Sequence, residues 1–89
     1  MAIEPLAVSF LRDIRPLFRE VDVQHMSPLG VLLAEYGYMS DPTNNHQNAR
    51  DVYAYLNGSR KPRMPIGGPF WSQSSLDLYL NWMNQGYNP

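Results

Sequence analysis

Two methionines and two histidines are the side chains of this sequence best suited to hold a soft metal. His25 and Met26 are adjacent, His46 lies further along, and Met64 opens the run Met64-Pro65-Ile66-Gly67-Gly68-Pro69. Thioether sulfur and imidazole nitrogen together suit copper. Against a shared ion, His25 and Met26 are neighbours that point in different directions on a helix, and only folding could bring His46 near them. Zinc is a poorer match, since the chain has two histidines and no cysteine.

Asp22 and His25 stand three residues apart, within reach of each other on a helix. A carboxylate that orients an imidazole can make a general base; the same spacing also makes a structural pair, with His25 hydrogen-bonded at a helix end. There is no cysteine nucleophile. The Met64–Pro69 run lacks the Lys-Ser/Thr that follows a phosphate-binding loop. Arg60, Lys61 and Arg63 form a small basic cluster that reads as a solvated loop, or as a docking patch for an acidic partner. Asn57-Gly58-Ser59 fits a glycosylation acceptor but is more simply a helix stop.

The elements that must position these residues belong to one small domain spanning 1–89. A chain of 89 residues buries only about 60–65% of its unfolded surface, so its core is thin. Hydrophobic residues make up 44%, charged residues 17% and aromatics 12%, with six tyrosines, which is not the composition of a disordered chain. A fold this small often needs a staple, and disulfides are excluded, so a ligand or another protein chain is the natural supplement. The net charge of −1 argues against nucleic acid as the main partner. No apolar run approaches the ~20 residues of a membrane span. The start, Met1 to Pro5, lacks the basic and apolar regions of a secretory signal, and the compartment stays open.

Periodicity predicts an all-α fold of three to four helices with long ordered loops. Phe10, Ile14, Leu17, Phe18 and Val21 give one apolar face to a helix from Ser9 to Val21, capped by Ser9 or Asp13. Pro16 requires a late start or a kink within it. Asp22–Met26 adds a further turn, stopped by Ser27-Pro28. Gly30–Leu33 packs as irregular chain, Ala34–Met39 forms a short helix or turn, and 41–45 is a loop. Ala49, Val52, Tyr53 and Leu56 stripe a helix from Asn45 to Leu56, which Asn57-Gly58 ends. Ser59–Pro69 is a loop restrained by three prolines. The last helix starts at the N-cap Ser72 and stops at Gly86; Leu76, Tyr79, Leu80 and Met83 form its inner face, with Trp82 on one shoulder.

The run from Phe10 to Phe18 resembles the opening helix of cytochrome c modules. Met64-Pro65 is similar to their distal methionine loop, and Ser72–Gly86 to their closing helix, with its tryptophan and terminal glycine. The resemblance implies a small cytochrome c-like bundle. It departs from the family at the residues that do chemistry. Asp22 and His25 stand where the two haem-attaching cysteines would, and Met26 stands at the proximal histidine. No Cys-x-x-Cys-His motif exists in the chain. Haem without thioether anchors would need strong axial ligands and a deep apolar pocket. Phe18, Tyr36, Tyr38, Tyr53, Phe70 and Trp71 supply enough volume to fill that pocket instead.

The resulting expectation is a non-catalytic accessory or interaction domain that has lost covalent haem and uses no cofactor. Its partner would be another protein chain, an enzyme or a second copy, contacted through Trp71, Tyr79 and Tyr87, because Trp and Tyr are enriched in binding hot spots. The alternative is an electron-transfer or sensor protein that holds haem non-covalently, or copper, through Met64, Met26 and His25. A small enzyme using Asp22 and His25 is a third reading. Met64 to Pro69 is expected to pack over the first and last helices.

Overall fold

The computed structural model describes residues 7–65 and 67–89. The fold is all-α, 60% helical, with no strand among the described residues. Four α-helical segments occur: α1 (Glu20–Met26), α2 (Tyr36–Met39), α3 (Thr43–Asn57) and α4 (Gln73–Asn84).

The expected helix from Ser9 to Val21 is broken. Ser9 caps a wide, π-helical turn over Phe10–Ile14, its hydroxyl accepting the Arg12 N–H at 3.3 Å while Asp13 accepts the Ser9 N–H at 2.9 Å. A tight 3-10 turn follows over Arg15–Leu17 and holds Pro16. Proline has no N–H and its ring excludes the carbonyl one turn back, so an α-helical ladder cannot run through this point. The chain is extended at Phe18 and Arg19, and α1 starts afresh at Glu20. It runs into a 3-10 turn over Ser27–Leu29 that ends at the left-handed Gly30.

α3 also departs from expectation at its start. Asn44, Asn45 and His46 all have positive φ, 54°, 59° and 58°, so they form a left-handed turn before the right-handed helix. This conformation costs an ordinary L-residue roughly 1–2 kcal/mol, and asparagine and histidine tolerate it better than most. The Arg50 guanidinium supports the turn by donating to the carbonyls of Asn44 and Asn45, each at 2.8 Å. The other end of α3 behaves as expected, with Gly58 left-handed at φ 86°.

α4 starts at Ser72, whose hydroxyl accepts the Ser75 N–H at 3.2 Å. Its buried face is Leu76, Tyr79 and Trp82. Leu80 was expected inside but is 37% exposed, and Trp82, expected on the shoulder, is fully buried. At 100° per residue, Trp82 lies about 60° to one side of Tyr79 and Leu80 about 100° to the other, so the core reaches the tryptophan first. Burial of the indole is possible because its N–H donates to the Asn88 carbonyl at 2.8 Å.

The core is one cluster that draws on all four α-helices and the first turn, including Phe10, Ile14, Met26, Met39, Val52 and Leu56. A run of ring contacts crosses it. Phe10 meets Trp82 at 5.5 Å, Trp82 meets Tyr79 at 5.5 Å, Tyr79 meets Trp71 at 6.1 Å, and Trp71 meets Phe18 at 5.2 Å. The segment before the first turn is fastened to the one after α4. The Phe10 N–H donates to Asn88 O at 2.9 Å and the Val8 N–H to Gln85 Oε1 at 2.6 Å. No described helix is long and apolar enough to cross a membrane.

Candidate functional site

Met64 reaches the interior although it sits in an irregular loop. Its N–H donates to the Tyr55 carbonyl at 2.9 Å, which ties the loop to the C-terminal part of α3. Its side chain is 2% exposed. Two small cavities meet there. One is lined by Asp22, His25, Met26, Met64 and Pro65; the other by Phe18, Asp22, Leu33, Leu56, Met64, Pro65 and Trp71. The lining residues come from α1, α3 and the segments around them, and none from α4. Met64 therefore borders Phe18, which belongs to the expected first helix, together with residues of α1 and α3, but no residue of α4, the last helix it was expected to cover. Ile66 lies outside the described residues.

The structure thus gathers Asp22, His25, Met26 and Met64 around one space. His25 and Met26 diverge on α1, yet both border it, because the cavity sits where buried Met26 gives way to exposed His25. His46 does not join them. Its ring stacks on Tyr87, with centroids 3.8 Å apart and planes 8° from parallel, and its Nδ1 is buried without a hydrogen-bond partner among the described residues.

Asp22 is committed elsewhere than to His25. Its Oδ2 accepts the Arg19 backbone N–H at 2.9 Å and Arg19 Nε at 3.1 Å, while Oδ1 accepts Nη2 at 2.9 Å. The aspartate caps α1 and neutralises an arginine, so it faces back toward the helix start and not toward the imidazole three residues on. Burial alone would push its pKa up. The hydrogen bonds from the Arg19 side chain and backbone, with smaller contributions from the charges of Arg19 and His25, bring it below the usual carboxylate value. A carboxylate held this firmly in its charged form is a poor proton acceptor. The pattern Arg19-x-x-Asp22 is visible in the sequence as an i, i+3 ion pair, and that pairing accounts for Asp22 better than the histidine does.

The cavities are too small for a haem. Each offers ≈ 10 Å³ to the centre of a water molecule, with ≈ 160 Å³ of empty volume in all, the open mouth included. Cofactor pockets run to roughly 300–1,000 Å³. Met26 and Met64 are each 2% exposed and close this space themselves. The residues present fit a packed interior and do not fit a haem plane between two thioethers.

The three expected contact residues divide. Tyr79 is fully buried, and its hydroxyl donates to the Ala49 carbonyl at 2.8 Å. It is a core residue and cannot meet a partner in this fold. Tyr87 is half-buried, wedged between His46 and the edge of Trp82. Trp71 is half-buried against Phe18. Phe70, expected to fill the interior, is instead 50% exposed, and the Arg63 guanidinium lies 4.3 Å over its ring. Arg63 packs on Gly58 as well. A Cβ on Gly58 would fall 3.1 Å from Arg63 Cδ, a tight approach that would press on the arginine, while the positive φ of 86° is what favours glycine there. Arg63 Nε has no hydrogen-bond partner among the described residues. Arg60 pairs with Asp51 at 3.1 Å and lies over Tyr55. The basic cluster is therefore built onto aromatic rings, a feature that spacing alone did not reveal.

No family model, curated protein or solved structure matches the chain.

Two outcomes follow. Met64→Ala should destabilise the fold by about 2–5 kcal/mol in denaturant unfolding, as for other buried methionine truncations; a change within error would contradict the filled interior. Asp22→Asn should cost about 1–3 kcal/mol at pH 7. The folded pKa of Asp22 lies below its unfolded value of about 3.9, so its contribution is full above that value and is lost as the pH falls through the folded pKa. The gap between wild type and Asp22→Asn should therefore close in acid, and an equal gap at neutral and acid pH would refute the ion-pair role.

Proposed function

We propose that this chain is a non-catalytic interaction domain, a cytochrome c-like module in which side chains have taken the place of covalent haem. It docks another protein chain through the ledge formed by Arg63, Phe70 and Trp71. The observation that carries this reading is the exposed Phe70 ring under the Arg63 guanidinium. Aromatic and arginine side chains dominate binding hot spots, because a flat ring and a planar cation bury much surface with little loss of freedom. Here both are already held, the arginine by Gly58 and Phe70, so little ordering remains to be done on binding. Arg60 and Lys61 lie beside them in sequence, which favours a partner surface that is acidic around an apolar centre.

Two further observations support a binding role over catalysis. Asp22 is engaged by Arg19 and is unavailable to activate His25. The spaces around Met64 admit a water or an ion and nothing larger.

A photo-reactive benzoylphenylalanine in place of Phe70 should give one dominant protein adduct in the source cell. The same probe at Leu11, which is exposed outside the ledge, should not give it, and Arg63→Glu should abolish it. Equal adducts from both positions, or none from Phe70, would contradict the proposed docking face.

A further inference from the structure

The cavity between α1 and the Met64 loop is lined mainly by residues whose side chains carry possible metal donors. It is about the size of one water and is lined by Met26, Met64, His25, Asp22 and Pro65. Hard divalent ions need several free oxygen ligands. Asp22 is the carboxylate of this lining, and both of its oxygens are already taken by Arg19. Zinc sites draw their ligands from His, Cys, Asp and Glu, and no group of three or more such side chains converges among the described residues. What remains is the combination of two neutral sulfurs and one nitrogen, which suits a soft monovalent ion of low coordination number.

We propose that Met26, Met64 and His25 form a binding site for a single soft monovalent ion, Cu(I) under reducing conditions. Asp22 stays paired with Arg19 and does not ligate. Exposed His25 is the entry side, and the two buried methionines are the inner ligands. The site is independent of the Phe70 docking ledge.

Three measurements on the full chain test this. In an anaerobic titration with bicinchoninate as competitor, the wild type should retain one equivalent of Cu(I). The double variant Met26→Leu, Met64→Leu conserves volume and so should preserve the fold. It should lose affinity by roughly tenfold to a hundredfold, the range typical of disrupted metal sites. Silver(I), a redox-inert soft ion, should shift the methyl resonances of Met26 and Met64 in the wild type at one equivalent and leave Met39 and Met83 in place, a result that does not depend on any variant folding. The proposal is overturned if the wild type cannot hold Cu(I) against the competitor, if the folded double variant holds it equally well, if silver shifts Met39 or Met83 instead, or if zinc binds as tightly as Cu(I).

Discussion

A loop without regular hydrogen bonding must be held by something other than a ladder, and here a buried thioether holds it. Met64 sits among Phe18, Leu33, Leu56 and Trp71, and one backbone bond to Tyr55 fixes its height along α3. Burying such a side chain is worth roughly 1.5–3 kcal/mol, and its location matters as much as its size. Seated there, Met64 closes the interior between α1 and α3. Arg63, just before it in sequence, and Phe70, at the far end of the loop, then emerge together on the outside. The same anchor makes the core continuous and assembles the surface ledge.

The other half of the fold rests on aromatic rings. Trp82 contacts Phe10, Tyr79 and Tyr87, and its indole N–H shares the Asn88 carbonyl region with the Phe10 N–H. One carbonyl therefore serves both the first helical turn and the last helix. The strained left-handed turn at Asn44–His46 is tied to this side too, because the His46 ring stacks on Tyr87. Strain of this kind persists only where surrounding contacts over-determine it; Arg50 and Tyr87 supply those contacts.

Much of the helical framework was legible in the sequence. Ser72 as a cap, Asn57-Gly58 as a stop and the Ala49–Val52–Leu56 stripe depend on local chemistry, and the structure follows them. The first helix was legible only in part. Pro16 announced a disturbance, but whether it yields a kink, a late start or the observed π and 3-10 turns is decided by how Phe10 and Ile14 must both reach the core. The inward rotation of α4 toward Trp82 was hidden for a similar reason, since it depends on the Asn88 carbonyl, beyond the helix, accepting the indole N–H. For the site, the gathering of His25, Met26 and Met64 followed from nothing local and required the loop to dock. Two misreadings share one cause. Tyr79 and Phe70 were judged by residue type, whereas their neighbours Ala49 and Arg63 mark one as core and the other as surface.

The central claim is that the interior around Met64 is closed by side chains, leaving surface and ion-sized chemistry but no room for a haem. An absorption titration of the purified protein with haem tests it most directly. The account predicts a Soret band that remains that of free haem, with no saturable change through one equivalent. A sharp Soret shift complete at one equivalent and abolished by Met64→Ala would show that the interior opens to a haem, and would contradict it.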